Sequence, residues 1–128
     1  MPKNQSESRI QSNFITWLWN TYPRTRGLAY HIPNGGLRTQ REAMTLKAMG
    51  VLPGIPDVHI VIAARGHNSL YIEFKEPNAR INTEHHKKQL AVHEVLRSAG
   101  HAVYVCTSAE DAQCIVLEYL ENTYWIAS

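Results

Sequence analysis

The sequence predicts an α/β domain with a mixed central sheet flanked by helices. Three observations predict it. Helix-start signals followed by helically spaced apolar residues occur four times, and four strand-like runs fill the gaps between them. One of those helices separates the last two strands, as in a right-handed parallel crossover. A chain of 128 residues is one domain by length, spanning 1–128, and 44% hydrophobic residues suffice for a core.

The elements follow in order. Asn4 with Glu7 three residues on reads as the capping box of a first helix, with Ile10, Phe14, Trp17 and Leu18 as its apolar stripe and Pro23 past its end. A strand over 28–32 (LAYHI) comes next. Thr39 and Glu42 open a second helix, with Leu46 inside and Gly50 as its stop. Strands over 57–64 (DVHIVIAA) and 69–76 (SLYIEFKE) are joined by RGHN, a short Gly-containing loop that predicts an antiparallel hairpin. Thr83 starts a third helix carrying Val92, Leu96 and Ala99, closed by Gly100. The strand over 101–106 (HAVYVC) is apolar throughout and reads as a buried interior strand. Ser108 and Asp111 open the fourth helix, with Ile115, Val116 and Tyr119 facing in.

Composition excludes several classes. The net charge of +2 with seven histidines permits an anionic partner without demonstrating one. Cys106 and Cys114 form no CxxC or zinc pattern and fit a reducing compartment. The polar start MPKNQSES carries no signal region, and no apolar run is long enough to span a membrane, so the expected location is cytoplasmic.

The chemistry concentrates in SLYIEFKEPN, residues 69–78. Leu70, Ile72 and Phe74 take one face of the strand, while Glu73 and Lys75 take the other. Asp57 opens the hairpin partner strand after the Gly/Pro-rich bend GVLPGIP. A simple register puts residues 57 and 76 near the same end and lets Asp57, Glu73 and Lys75 converge. Two carboxylates that close repel unless a cation or a proton lies between them. Carboxylate oxygens suit hard Mg²⁺, which binds through one or two carboxylates and substrate phosphate. Lys75 fits an orienting or electrostatic role better than that of a base, which would need a large pKa shift. The bland alternative is a solvated strand face and an ordinary turn aspartate.

GIPD, then fifteen residues, then EFK, together with HIPNGGLRTQREAMTLKAMGVLPGIPDVHI, resemble the virus-type replication-repair nuclease (VRR-NUC) domain family of the PD-(D/E)xK nucleases. The resemblance runs from about Glu7 to Leu120. It implies a restriction-endonuclease-like PD-(D/E)xK core, Mg²⁺- or Mn²⁺-dependent phosphodiester hydrolysis and DNA substrates. It implies Asp57 and Glu73 as metal ligands, Lys75 as the catalytic lysine and the Phe74 backbone carbonyl as a further ligand.

Glu7 shares the inward side of the first helix, and similar nucleases place a helix glutamate near the metal; the alternative is capping with Asn4. Gln89 lies on the third helix's inward stripe. The resemblance makes it a support for Lys75 or for a bound water, and the alternative is a core-edge glutamine. In the HIPNGG loop, Asn34, Gly35 and Gly36 allow close backbone approach to a phosphate, with charge from Arg38 and Arg41. Such a loop is otherwise an ordinary turn. His31 reads as packed at a strand end. HHKK at 85–88 reads as a solvated helix face within reach of a phosphate backbone. Trp17 reads as core. Trp19 and the terminal TYWIA are either exposed for a partner or folded back.

Without an appended recognition domain, a nuclease this small is expected to read DNA shape. Cutting two strands calls for two sites, which a two-fold homodimer supplies. The resemblance, whose standalone viral members form dimers and act on branched DNA, then implies a homodimeric endonuclease for Holliday-type junctions, serving phage replication, recombination or repair in a bacterial host cytoplasm. The alternatives are a nuclease for linear DNA and a catalytically weak DNA-binding module.

Overall fold

The computed structural model describes residues 6–33 and 39–127. Asn4 and the loop residues Asn34, Gly35, Gly36 and Arg38 lie outside the described residues. Four helices, α1 (Glu7–Thr21), α2 (Gln40–Ala48), α3 (Glu84–Ser98) and α4 (Ala109–Tyr119), surround four strands, β1 (Ala29–His31), β2 (Val58–Ile60), β3 (Leu70–Phe74) and β4 (Ala102–Cys106). The strands lie in the order β1-β2-β3-β4. The first two pairings are antiparallel and β3–β4 is parallel across α3.

Helix starts follow side-chain chemistry. Thr39, Thr83 and Ser108 accept from the backbone N–H three residues on. The first helix departs from the reading above: Ser6 is its cap, accepting from the Arg9 N–H. Glu7 is therefore the first helical residue. Gly50 and Gly100 follow α2 and α3 at φ +99° and +92°, the left-handed geometry of a helix stop.

The sheet has two different faces. Val58, Ile60, Leu70, Ile72 and Phe74 point to one side, where Ile10, Phe14 and Leu18 of α1 and Ala112 and Val116 of α4 meet them. The rings of Phe14 and Phe74 are 5.6 Å apart. Trp17 packs half-buried at this core's edge. Trp19 is half-buried too, its indole N–H donating to the Ala29 carbonyl. The terminal turn Tyr124–Ala127 splits its residues: Ile126 is buried, while Tyr124 and Trp125 are exposed.

The opposite face is polar. Tyr30, His59 and Tyr71 sit side by side on it. His59 and Tyr71 stack at 4.1 Å. The Tyr30 hydroxyl, the His59 ring, the Ser69 hydroxyl and the His101 ring form one hydrogen-bonded chain. Helix α3 covers the β3–β4 side of this face through Gln89 and His93, its only buried residues. The expected apolar stripe is thus displaced. Val92 and Leu96 are only half-buried and Ala99 is exposed. The helix is laid over the row of Glu73 and Lys75, so polar groups occupy its inner side.

Two further expectations change. β2 stops at Ile60, because the Ile62 N–H turns back to the Ile60 carbonyl and ends the ladder. β4 is an edge strand of the described sheet, with Tyr104 and Val105 nearly half exposed, rather than an interior one. The hairpin turn itself is tight, with Arg65 and Gly66 both at positive φ between the bridged residues Ala64 and His67.

Gly54 explains the bend before Asp57. It is buried at φ +90°, and a Cβ there would lie 3.1 Å from the Lys88 carbonyl and 3.2 Å from Val92 Cγ2. The loop presses its backbone onto α3 where only glycine fits. Gly54→Ala is expected to lose about 1–2 kcal/mol from the left-handed strain alone. The check is a thermal midpoint several degrees below that of the parent chain, with near-native far-UV circular dichroism at 20 °C.

Candidate active site

Continuing the β2–β3 register of Val58 with Ile72 by one step sets Asp57 opposite Glu73. This is a shift from the looser expectation that residues 57 and 76 share an end. The side chain of Asp57 is fixed by the sheet: its Oδ2 accepts the Phe74 N–H at 2.7 Å. Its backbone carbonyl is held as well. The Ile32 N–H donates to it at 2.7 Å, and the His31 Nδ1–H at 2.8 Å. His31 thus clamps the Asp57 main chain while its ring stays exposed.

Glu73 is 3% exposed, and its Oε1 has no hydrogen-bond partner. Burial raises its carboxyl above the usual range, against the pull of Asp57 and Lys75. Asp57 is pushed up to about 7, first by burial and then by the charge of Glu73 and a hydrogen bond between the two carboxyls. The pair tends to hold one proton rather than carry two full charges.

Lys75, two residues on along the same face, donates from Nζ to Gln89 Oε1 at 2.5 Å. Gln89 is buried, and its amide donates in turn to His85 Nε2 at 3.3 Å. The lysine is therefore aimed by α3. Glu7 stays solvent-exposed at the start of α1, a correction to the inward position read from spacing. Partial desolvation raises its carboxyl, with Lys75 lowering and Asp57 raising it, so it flanks the pair. Among the described residues, no three His, Cys, Asp or Glu side chains group as a metal site. The candidate donor set is accordingly Asp57 and Glu73, with the Phe74 carbonyl next to Glu73 in the chain.

Arg41 is exposed on α2, in the turn after the cap Thr39. His85, Lys87 and Lys88 are exposed on α3, and His86 is half-buried. One residue at the site was missed by sequence reasoning. His93 is 1% exposed, with Nε2 3.9 Å from Glu73 Oε1. Burial lowers its pKa, helped by Arg97 and Lys75. The signal was present: His93 lies four residues after Gln89 and so on the same helix face.

A mixed sheet lies between helices, with a carboxylate pair and a lysine at one end of its central hairpin, and the family model that matches the chain is that of a nuclease domain. The chain belongs to the VRR-NUC domain family, whose model matches residues 4–110. A solved structure, a VRR_NUC domain protein, superposes with a TM-score of 0.75 at 24% identity, covering 94% of this chain and 92% of that one. No curated protein matches the sequence. Among the described residues, no helix is long and apolar enough to cross a membrane.

Asp57 supplies a pH test. Its proton leaves near 3.8 in the unfolded chain but at about 7 in the folded one. The folded state binds the extra proton, so this contribution is full below about pH 3.8 and is lost as pH rises through about 7. In EDTA, Asp57→Asn is expected to melt above the parent chain at pH 8 by several degrees, and the gap narrows toward pH 4. Parallel melting curves at both pH values would contradict the raised Asp57 pKa.

Proposed function

We propose that this chain is a divalent-metal-dependent, structure-selective DNA endonuclease that hydrolyses phosphodiester bonds in branched DNA of the Holliday-junction type, as a homodimer. The observation that carries the reading is the opposed pair Asp57 and Glu73, with Lys75 beside them on the same sheet face. The residues fit Mg²⁺ or Mn²⁺: Asp57 keeps a proton to about pH 7, and Glu73 Oε1 is buried without a partner. Asp57, Glu73 and the Phe74 carbonyl would hold the ion. When bound, it would supply Lewis-acid polarisation of the phosphate.

The chain's own groups do the rest. The Phe74 N–H holds one oxygen of Asp57, leaving the other for the site. Lys75, aimed by Gln89, orients the attacking water and offsets the charge that builds on the phosphoryl oxygens. Water forms the new P–O bond, the deoxyribose oxygen leaves with the bonding electrons and takes a proton, and the products are a phosphate monoester and a hydroxyl. Glu7, within electrostatic reach of Lys75 and Asp57, completes the acidic side.

Backbone contacts to DNA fall to Arg41, with Asn34, Gly35, Gly36 and Arg38 in the loop before it, and to Lys87 and Lys88. Support for a homodimer comes from α2. It buries no residue and exposes Met44 at 65%, with Met49 at its C-cap exposed at 75%, apolar surface that a second copy would cover. A phage-encoded enzyme of this kind would act in the bacterial host cytoplasm, in replication, recombination or repair.

The test is an end-labelled four-way junction beside a matched linear duplex, each with Mg²⁺, Mn²⁺ or EDTA. Metal-dependent cutting confined to the junction is expected. Equal cutting of both removes the junction preference, and binding without cutting points to a DNA-binding module. Asp57→Ala, Glu73→Ala and Lys75→Ala are each expected to reduce cutting by at least about 10³-fold, the scale of a lost transition-state contact, while junction binding survives. Wild-type cutting by two of the three would show the site is elsewhere.

A further inference from the structure

His93 is a polar side chain in an apolar man's place. It is 1% exposed, and neither ring nitrogen has a hydrogen-bond partner. Its Nε2 lies 3.9 Å from Glu73 Oε1, which is also without a partner. That separation is beyond hydrogen-bond range, and a buried polar atom left unmade is destabilising. A leucine would fill similar space on α3 without leaving nitrogens unpaired. Packing therefore does not account for the imidazole, whereas its position over Glu73 does. The other charges near the ring are mixed: Arg97 and Lys75 disfavour a positive ring, Glu94 and Asp57 favour one, and burial with the two cations prevails. A neutral ring with its proton on Nε2 has one natural acceptor in reach, Glu73 Oε1.

We propose that His93 is a positioning residue for the cation site: its Nε2–H takes Glu73 Oε1 and thereby turns the other carboxylate oxygen, Oε2, toward the divalent ion. A small rotation of the Glu73 carboxylate would close the 3.9 Å gap. In this arrangement β3 fixes Asp57 through the Phe74 N–H, and α3 fixes Glu73 through His93. The inference rests on the reading of Asp57 and Glu73 as a metal site.

The experiment uses the full chain without DNA. Mn²⁺ binding is titrated calorimetrically for the parent, His93→Leu, His93→Gln and Asp57→Asn, and each is melted in EDTA. The parent is expected to bind and Asp57→Asn to lose binding, which assigns the heat to this site. His93→Leu is expected to weaken Mn²⁺ binding about 10- to 100-fold, the usual range for a lost ligand-orienting partner, while melting in EDTA at or above the parent. His93→Gln, which keeps an N–H donor, is expected to regain most of the affinity. Parent-like Mn²⁺ affinity in His93→Leu overturns the proposal. A parent chain that binds no Mn²⁺ instead overturns the metal reading, and this inference with it. Should His93→Leu not fold, ¹⁵N NMR of the parent decides. A neutral Nε2–H ring whose signals shift with Mg²⁺ in the parent but not in Asp57→Asn supports the role. A ring indifferent to Mg²⁺ overturns it.

Discussion

The pairing of Asp57 with Glu73 across the β2–β3 ladder is the constraint on which the rest of the site depends. Two buried carboxylates facing each other are unstable as a pair of charges, and the fold supplies what surrounds them. The Phe74 amide fixes one, and the strand itself holds the other. The Gly54 bend brings the start of β2 under α3, and α3 aims Lys75 through Gln89. A one-residue slip of the hairpin would turn Glu73 and Lys75 toward Phe14 and bring Phe74 to the site. The apolar alternation of Leu70, Ile72 and Phe74 therefore guards the chemistry as well as the core.

Much of this was legible in the sequence, for identifiable reasons. Period-two alternation in β3 assigned faces correctly because one face meets α1 and α4 and the other does not. The caps Thr39, Thr83 and Ser108 were readable because their chemistry is local. The first cap was misassigned because Asn4 and Ser6 both suit the role, and spacing does not rank them. β4 was read as interior because an apolar run says nothing about which neighbours a strand has; Tyr104 and Val105 are exposed at an edge.

The third helix is the most instructive miss. Its spacing predicted an inward stripe of Val92, Leu96 and Ala99 with Gln89 among them; Gln89 is buried as expected, but its buried companion is His93 rather than an apolar residue. Periodicity finds the face that wants to leave water. It does not find a face recruited by a charged site, where the inward residues must be polar. His93 went unread for the same reason: a histidine within a helix called HHKKQ looks like one more solvated group until its partner on β3 is known.

The two faces of the sheet thus differ in kind, one packed and apolar, the other bearing the polar cluster of the candidate site. The α1–α4 side is closed by aliphatic and aromatic packing around Phe14 and Phe74, and it leaves no buried side-chain polar atom unpaired among those described. The orphaned atoms of Glu73, His86 and His93 all belong to the α3 side or to β3 facing it. Unmade polar groups are destabilising, so a fold selected only for stability would replace them with apolar residues. Two of the three, Glu73 and His93, face each other across the β3–α3 contact. The same logic separates the roles of the helices: α4 serves packing, α1 packs and carries Glu7 beside the carboxylate pair, and α3 presents a particular glutamine and histidine at one height above β3.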